Sequence, residues 1–190
     1  MPADQEHAAA DAGPRRGPSP EESLLIGELH FRANQRRDGW VYATLDALLL
    51  DKGRLFRPSP WPDGGDPPGE PGRCFVESVS WAWAAAAGDL AYVEGYALAP
   101  GDVFAEPHAW CAAVDGAARD VTWRRPGTAY LGLPVRAEVA KDLMAEQFGP
   151  LLHGAEGLIS PLAERWMRTG VPEDLLVPVG RPVPGMEAAA

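Results

Sequence analysis

The segment RPSPWPDGGDPPGEPG, residues 57–72, is the stretch that most restricts how this chain can fold. Proline lacks a backbone donor and glycine weakens regular structure, so the segment predicts an irregular connection between two parts of the chain. A connection of this length is unusual in a compact domain and often borders a cleft. Because it leads directly into Cys74, we predict that it forms one wall of such a cleft.

The pattern of apolar residues differs on the two sides of this connection. Before it, the residues favour helices; after it, one apolar helix precedes strand-like segments, and helices follow again. This order is typical of an α+β domain in which helices flank an antiparallel sheet. The predicted helices are one from Ser19 onward, 40–50, 73–87 and two more within 132–149 and 160–170; the predicted strands are 92–98 and a hairpin over 108–123.

The length of 190 residues predicts a single domain with less regular ends. Residues 1–20 are polar and rich in proline and glycine, which predicts a disordered tail. The domain is expected to span residues 21–176. The repeated prolines of residues 177–190 predict a loose C-terminal tail.

The acidic balance of the chain argues against several classes of partner. A formal net charge of −10 disfavours surfaces that bind phosphates, so neither nucleic acid nor a membrane is an expected partner. No apolar run has the length of a membrane span, and the first residues lack the basic start and apolar core of a signal peptide. Two cysteines are too few for a disulfide framework. We therefore expect a cytoplasmic protein with free thiols.

Cys74 follows Pro71-Gly72-Arg73 and opens the helix predicted after the long connection. The free amides and the dipole of a helix N-terminus stabilise a thiolate, and Arg73 adds a neighbouring positive charge. A thiolate beside an imidazole is the minimum for nucleophilic attack on an acyl carbon. The backbone N–H groups of the same helix start could hold the oxyanion that forms.

His108 and Asp120 are the candidates for the base and for the group that orients it. They lie in the predicted hairpin, so its turn decides whether their side chains share a face. A two-residue turn at 115–116 would send them to opposite faces. A three-residue loop over 114–116, with its glycine left-handed, places Asp120 opposite Trp110 and brings the two side chains together. A Cys-His-Asp triad therefore requires the three-residue loop.

A zinc site is the alternative use of the same residues, because Cys74, His108, Cys111 and Asp120 could supply four ligands. Strand alternation turns His108 and Cys111 to opposite faces, and the chain has no closely spaced pair of cysteines. We therefore predict no metal and assign Cys111 to the core.

Two tryptophans have a predicted role near these candidates, whereas a further histidine, His153, has none. Trp110 and Trp123 flank the His108–Asp120 pair closely enough to shield it from water, which would strengthen the hydrogen bond between them. His153, in LLHGAEG, belongs to no motif and is expected to be a loop residue.

These pieces resemble the transglutaminase-like branch of the papain-like thiol enzymes. That branch has a cysteine at a helix start, a strand reading Y-x-x-G-Y, then HAW, then a strand ending in D-P-T. The matching pieces here are 72–75 (GRCF), 92–96 (YVEGY), 108–110 (HAW) and 120–123 (DVTW). The resemblance covers about residues 70–133, and this chain departs from it at Val121, where proline is usual.

The resemblance implies a papain/transglutaminase-like fold and a cysteine hydrolase or acyltransferase that needs no cofactor. Cys74 would attack an amide or thioester, His108 would move the proton and Asp120 would orient His108. The substrate would be a peptide, a protein or a small amide or thioester. Water as acceptor gives a peptidase, amidase or deamidase; an amine gives an amide-forming or cross-linking enzyme. A binding or regulatory module that kept the fold and lost turnover is the remaining alternative.

Overall fold

The computed structural model describes residues 17–62, 65–85, 88–154 and 158–185. Within these ranges the chain is a mixed α+β protein whose helices surround one sheet. Its helices are α1 (Pro20–Ala33), α2 (Leu45–Lys52), α3 (Cys74–Ala84), α4 (Ala137–Gln147) and α5 (Pro161–Thr169), and its strands are β1 (Arg54–Ser59), β2 (Leu90–Leu98), β3 (Glu106–Ala113), β4 (Ala117–Arg119), β5 (Ala129–Val135) and β6 (Arg181–Pro182).

The first two helices begin at side-chain caps. Ser19 accepts from the backbone N–H of Glu22, whose carboxylate accepts from the Ser19 N–H, so α1 starts where the sequence predicts it. The helix predicted over 40–50 begins only at Leu45, and that part of the prediction is wrong. Thr44 caps α2 with an extended backbone, which ends any helix that would approach from the N-terminal side.

The sheet closes on itself. Its strand order is β4-β3-β2-β5-β1-β6, and β1 also pairs with β4, which joins β4, β3, β2, β5 and β1 into a five-stranded barrel. The predicted antiparallel arrangement holds for the described strand pairs except β1–β4, which is parallel. That pair is possible because a long connection, rather than a tight turn, separates the two strands.

Three strands are not predicted by the sequence: β1, β5 and the short β6, which falls in the expected C-terminal tail. Residues 57–59 were assigned to the connection but belong to β1, and residues 132–135 were assigned to a helix but belong to β5. Every residue of β5 is buried, so this strand has no alternation of polar and apolar residues that would distinguish it from a buried helix. The helix of this region, α4, begins only at Ala137.

Apolar side chains form two clusters. One cluster consists of strand residues alone, including Phe56, Trp110 and Tyr130, and fills the inside of the closed sheet. The larger cluster lies between the sheet and the helices and includes Leu48 and Leu131. Helix α3, which begins with Cys74, packs on β2 and on β3, the strand that carries His108.

The described part of the predicted C-terminal tail is ordered against the domain. Strand β6 pairs with β1, Val183 is buried, and Arg181 pairs with Glu22 of α1 at 2.5 Å. The expectation of a loose tail from residue 177 is therefore wrong for the described residues up to 185. Residues 1–16 and 186–190 of the two predicted tails lie outside the described residues. Within the described ranges, no helix has both the length and the hydropathy to cross a membrane.

Candidate active site

Cys74 is the first residue of α3, as predicted, and 9% of its surface is exposed. Gly72 turns the chain into the helix with a φ of +82°, a conformation that favours glycine. Among the described residues no side chain caps α3, so the first-turn N–H groups around Cys74 stay available to an incoming oxygen. The Arg73 guanidinium pairs with Glu70 at 3.0 Å on the surface, so its charge is not free for Cys74 as the sequence suggested.

The turn between β3 and β4 is the three-residue loop that the triad requires. Cys111 pairs with Arg119 and Ala112 with Ala118, a register that places Asp120 opposite Trp110. Gly116 has a φ of +76°, in the left-handed region. The predicted turn is therefore confirmed.

His108 and Asp120 form a buried pair. His108 Nε2 lies 2.7 Å from Asp120 Oδ2, and the two residues are 2% and 4% exposed. Burial alone would lower the pKa of His108, but its hydrogen bond with Asp120, the nearby Cys74 thiol and the charges of both groups raise that pKa to about 9. His108 is therefore bonded to Asp120, lies near enough to Cys74 for that thiol to affect its pKa, and is an imidazolium at neutral pH.

The two oxygens of the Asp120 carboxylate have different hydrogen-bond partners. Oδ1 accepts the backbone N–H groups of Thr122 at 3.0 Å and Trp123 at 2.9 Å, which anchors the turn after β4. Oδ2 faces His108 and also accepts the hydroxyl of Tyr130 at 3.0 Å. Burial would raise the pKa of Asp120, but the hydrogen bond and charge of His108, with these backbone donors, lower it. The carboxylate thus stays ionised beside the imidazolium.

Aromatic rings enclose the pair. The Trp123 ring stacks on the His108 ring with centroids 4.0 Å apart, and Trp110 is roughly parallel to it at 6.4 Å. This confirms that the two tryptophans flank the pair. Tyr130, which the sequence analysis missed, accepts the Gly127 N–H at 2.6 Å while it donates to Asp120. No motif in the sequence marks it, because β5 is apolar throughout.

Cys111 lies apart from these groups, as predicted. It is fully buried, its thiol donates to the backbone carbonyl of Ser78 at 3.3 Å, and burial raises the pKa of this thiol to about 12. Both cysteines are free thiols. Among the described residues, no group of three or more His, Cys, Asp or Glu side chains is placed to hold a metal ion.

The long connection contacts the residue after Asp120 and the helix that begins with Cys74. The Gly69 N–H donates to the carbonyl of Val121, next to Asp120, at 2.7 Å. The Trp61 ring packs edge-on against Trp81 of α3 with centroids 5.7 Å apart. The connection therefore lies against the two elements that carry the nucleophile and the carboxylate, and its role as a cleft wall stays a prediction.

A second buried acid–imidazole pair was missed. Glu94 of β2 is fully buried, and its Oε1 lies 3.1 Å from His153 Nδ1. The sequence predicts only a loop residue at His153 and does not indicate this contact, because 59 residues separate the two partners. Glu94 itself could have indicated this pair, because a carboxylate in the middle of the apolar strand LAYVEGYAL needs buried hydrogen-bond donors.

Comparison with known proteins gives no family to which the chain can be assigned. No family model, curated protein or solved structure matches it. The resemblance to papain-like and transglutaminase-like enzymes therefore stays a prediction from the motifs around Cys74, His108 and Asp120.

Proposed function

We propose that the protein is a thiol enzyme that acts on an amide or thioester through a covalent acyl-enzyme, with water as the acyl acceptor. One observation carries the proposal: the His108 imidazole is bonded to the Asp120 carboxylate at 2.7 Å, and both Asp120 and the Cys74 thiol raise the pKa of that imidazole. This is the arrangement that activates a cysteine nucleophile. The α+β architecture, with the cysteine at the start of a helix packed on antiparallel strands, supports a papain/transglutaminase-like fold.

In the first half of the reaction, the Cys74 thiolate attacks the carbonyl carbon of the substrate and the carbonyl oxygen becomes an oxyanion. The N–H groups at the start of α3 are the donors nearest to the sulfur along the chain, and they stabilise this charge. The tetrahedral species then collapses and the bond to the leaving nitrogen or sulfur breaks. The His108 imidazolium donates its proton to that leaving atom, which leaves an acyl thioester on Cys74.

In the second half, neutral His108 removes a proton from water as the water oxygen attacks the thioester carbon. The carbon–sulfur bond breaks, the carboxylic acid leaves, and the thiolate–imidazolium pair is restored. Asp120 keeps its charge throughout: it bonds to Nε2, so Nδ1 is the ring nitrogen left to exchange protons at Cys74. Trp123 covers the ring and keeps bulk water from competing for that hydrogen bond.

Acylation by a simple activated ester tests the proposal without knowledge of the natural substrate. The protein is mixed with p-nitrophenyl acetate, quenched in acid and digested, and the acetyl group is located by mass spectrometry. We expect acetylation at Cys74, with release of p-nitrophenol in a burst that matches the amount of enzyme. Cys111 in the same chain is the matched control and is expected to remain unmodified, because it is fully buried.

The variant His108→Ala separates catalysis from simple thiol reactivity. It is expected to lose the burst and to leave Cys74 largely unmodified. Acetylation of Cys74 at the same rate in this variant would contradict the proposal. Adding a primary amine to the acetylated enzyme then distinguishes the acceptors: faster loss of the acetyl group with formation of an amide would favour the acyltransferase alternative over hydrolysis.

A further inference from the structure

The Tyr130 hydroxyl bonds to the same carboxylate oxygen that faces His108. Tyr130 Oη donates to Asp120 Oδ2 at 3.0 Å, and His108 Nε2 lies 2.7 Å from that oxygen. The direction of the tyrosine bond is fixed, because the hydroxyl also accepts the Gly127 N–H, which can only donate, at 2.6 Å. Burial and the charge of Asp120 raise the pKa of Tyr130 well above its ordinary value, so the hydroxyl keeps its proton. Oδ2 is therefore shared between two donors.

The other oxygen of the carboxylate, Oδ1, holds Asp120 in place without help from Tyr130. It accepts the backbone N–H groups of Thr122 at 3.0 Å and Trp123 at 2.9 Å, and the Thr122 hydroxyl at 3.2 Å. These three bonds orient the carboxylate from its own segment of the chain. The Tyr130 hydroxyl is thus not required to aim Asp120 at His108, and its main effect falls on the charge of Oδ2.

Two thiols also interact with this pair. Against the effect of burial, the Cys74 thiol of α3 acts with Asp120 to raise the pKa of His108. Burial and the charge of Asp120 raise the pKa of the Cys111 thiol of β3 to about 12, so this thiol stays neutral. On the β2 side, Gly95 pairs with His108 and presents no side chain. Among the described residues, Tyr130 is the one group besides His108 that bonds to Oδ2.

We propose that Tyr130 is a positioning residue that acts on His108 through Asp120. By donating to Oδ2 it takes up part of the negative charge of this oxygen, and it so weakens the attraction that holds the proton on the imidazole. Its value to catalysis rests on the proposed function, in whose second half His108 acts as a base and must be neutral. Because Tyr130 lowers the proton affinity of His108, it increases the neutral form and favours hydrolysis of the acyl-enzyme.

An NMR titration of the full chain with ¹⁵N-labelled histidine measures the pKa of His108 and tests the proposal. The chain has four histidines, and the His108 signal is assigned by its loss in His108→Ala. Tyr130→Phe removes the hydroxyl and leaves Oδ2 to His108 alone. We expect the imidazole of this variant to bind its proton roughly threefold to tenfold more tightly, which places its pKa about half a unit to one unit above that of the native protein.

A stronger donor at the same position should have the opposite effect. Replacing Tyr130 with 3-fluorotyrosine keeps the hydroxyl and its bond with Gly127 but makes the hydroxyl more acidic, so the pKa of His108 should fall below the native value. This variant decides the question if Tyr130→Phe does not fold. Tyr42→Phe is the matched control, because the Tyr42 hydroxyl also bonds to a carboxylate, that of Asp51, but on the exposed surface. It should leave the pKa of His108 unchanged.

The same titration in the Cys74→Ala background separates this proposal from the proposed reaction. Tyr130 acts through Asp120 and not through the thiol, so the effect of Tyr130→Phe should persist without the nucleophile, even if the protein catalyses no acyl transfer. An unchanged His108 pKa in folded Tyr130→Phe would reduce the hydroxyl to a structural support, and a lower pKa would show that it orients Asp120 instead. Either result, or a pKa that does not fall with 3-fluorotyrosine, would overturn the proposal.

Discussion

Replacing Asp120 with asparagine removes the carboxylate charge beside His108 while keeping the size of the side chain. In the native protein the pKa of His108 is about 9, against an ordinary value of 6.5. This difference corresponds to about 3 kcal/mol of stabilisation, since each tenfold change in proton affinity is worth about 1.4 kcal/mol. Asp120 and Cys74 both contribute to it, so the substitution removes up to this amount.

The stabilisation that His108 contributes falls as the pH rises. The pKa of His108 is raised by folding, so its stabilising contribution is fully present below pH 6.5 and is lost as the pH rises through about 9. In Asp120→Asn most of that contribution is missing at every pH. The native protein should therefore have a larger free energy of unfolding than Asp120→Asn, and this difference should be greatest near pH 6. Towards pH 10 the difference should shrink by up to about 3 kcal/mol.

Urea-induced unfolding, followed by circular dichroism between about pH 6 and pH 10, measures this difference. Asp115→Asn is the matched control, since Asp115 lies in the same hairpin but pairs with Arg57 on the surface. Its effect should be small and nearly independent of pH, because exposed ion pairs contribute little. If the effect of Asp120→Asn stays constant within about 0.5 kcal/mol over this range, the carboxylate does not hold His108 in its charged form and our reasoning is refuted.

Two further substitutions test the supports of the site by the same unfolding measurement. Tyr130→Phe leaves the buried Gly127 N–H without a partner and removes one of the two groups bonded to Asp120 Oδ2, so we expect a loss of about 1–3 kcal/mol. The Tyr42 hydroxyl bonds to the exposed carboxylate of Asp51, so Tyr42→Phe should lose less, and equal losses in the two variants would contradict the assignment. Gly95→Ala, opposite the imidazole, would place a Cβ 2.2 Å from a backbone oxygen of β5, so we expect a loss of at least about 1–3 kcal/mol. Gly27→Ala in α1, with open space around it, should instead stabilise by about 0.5–1 kcal/mol, and a tolerated Gly95→Ala would show that β2 and β5 are not packed this closely.

Local chemistry made part of the site predictable. The helix start at Cys74 follows from the Pro-Gly pair before it, and the hairpin turn follows from requiring that His108 and Asp120 share a face. Gly116 satisfies that requirement because it adopts a positive φ at no steric cost. These features depend on a few neighbouring residues, so one sequence is enough to derive them.

Features that depend on distant parts of the chain were not predictable in this way. Strand β5 is recognisable only through its partners β2 and β1, since its own residues are all apolar. The pairing of Glu94 with His153 joins positions 59 residues apart, and no spacing rule connects them. The closure of the sheet by β1 and β4 likewise arises from tertiary contact rather than from a local pattern.

The rate of alkylation of Cys74 at mildly acidic pH tests the central claim most directly. Iodoacetamide reacts with thiolates, so a thiolate held by the His108 imidazolium reacts at a pH where an ordinary thiol is nearly inert. We predict that Cys74 is labelled much faster than N-acetylcysteine at about pH 5.5, that Cys111 is not labelled, and that His108→Ala removes the advantage. Labelling of Cys74 no faster than the free thiol, unchanged by His108→Ala, would contradict the account.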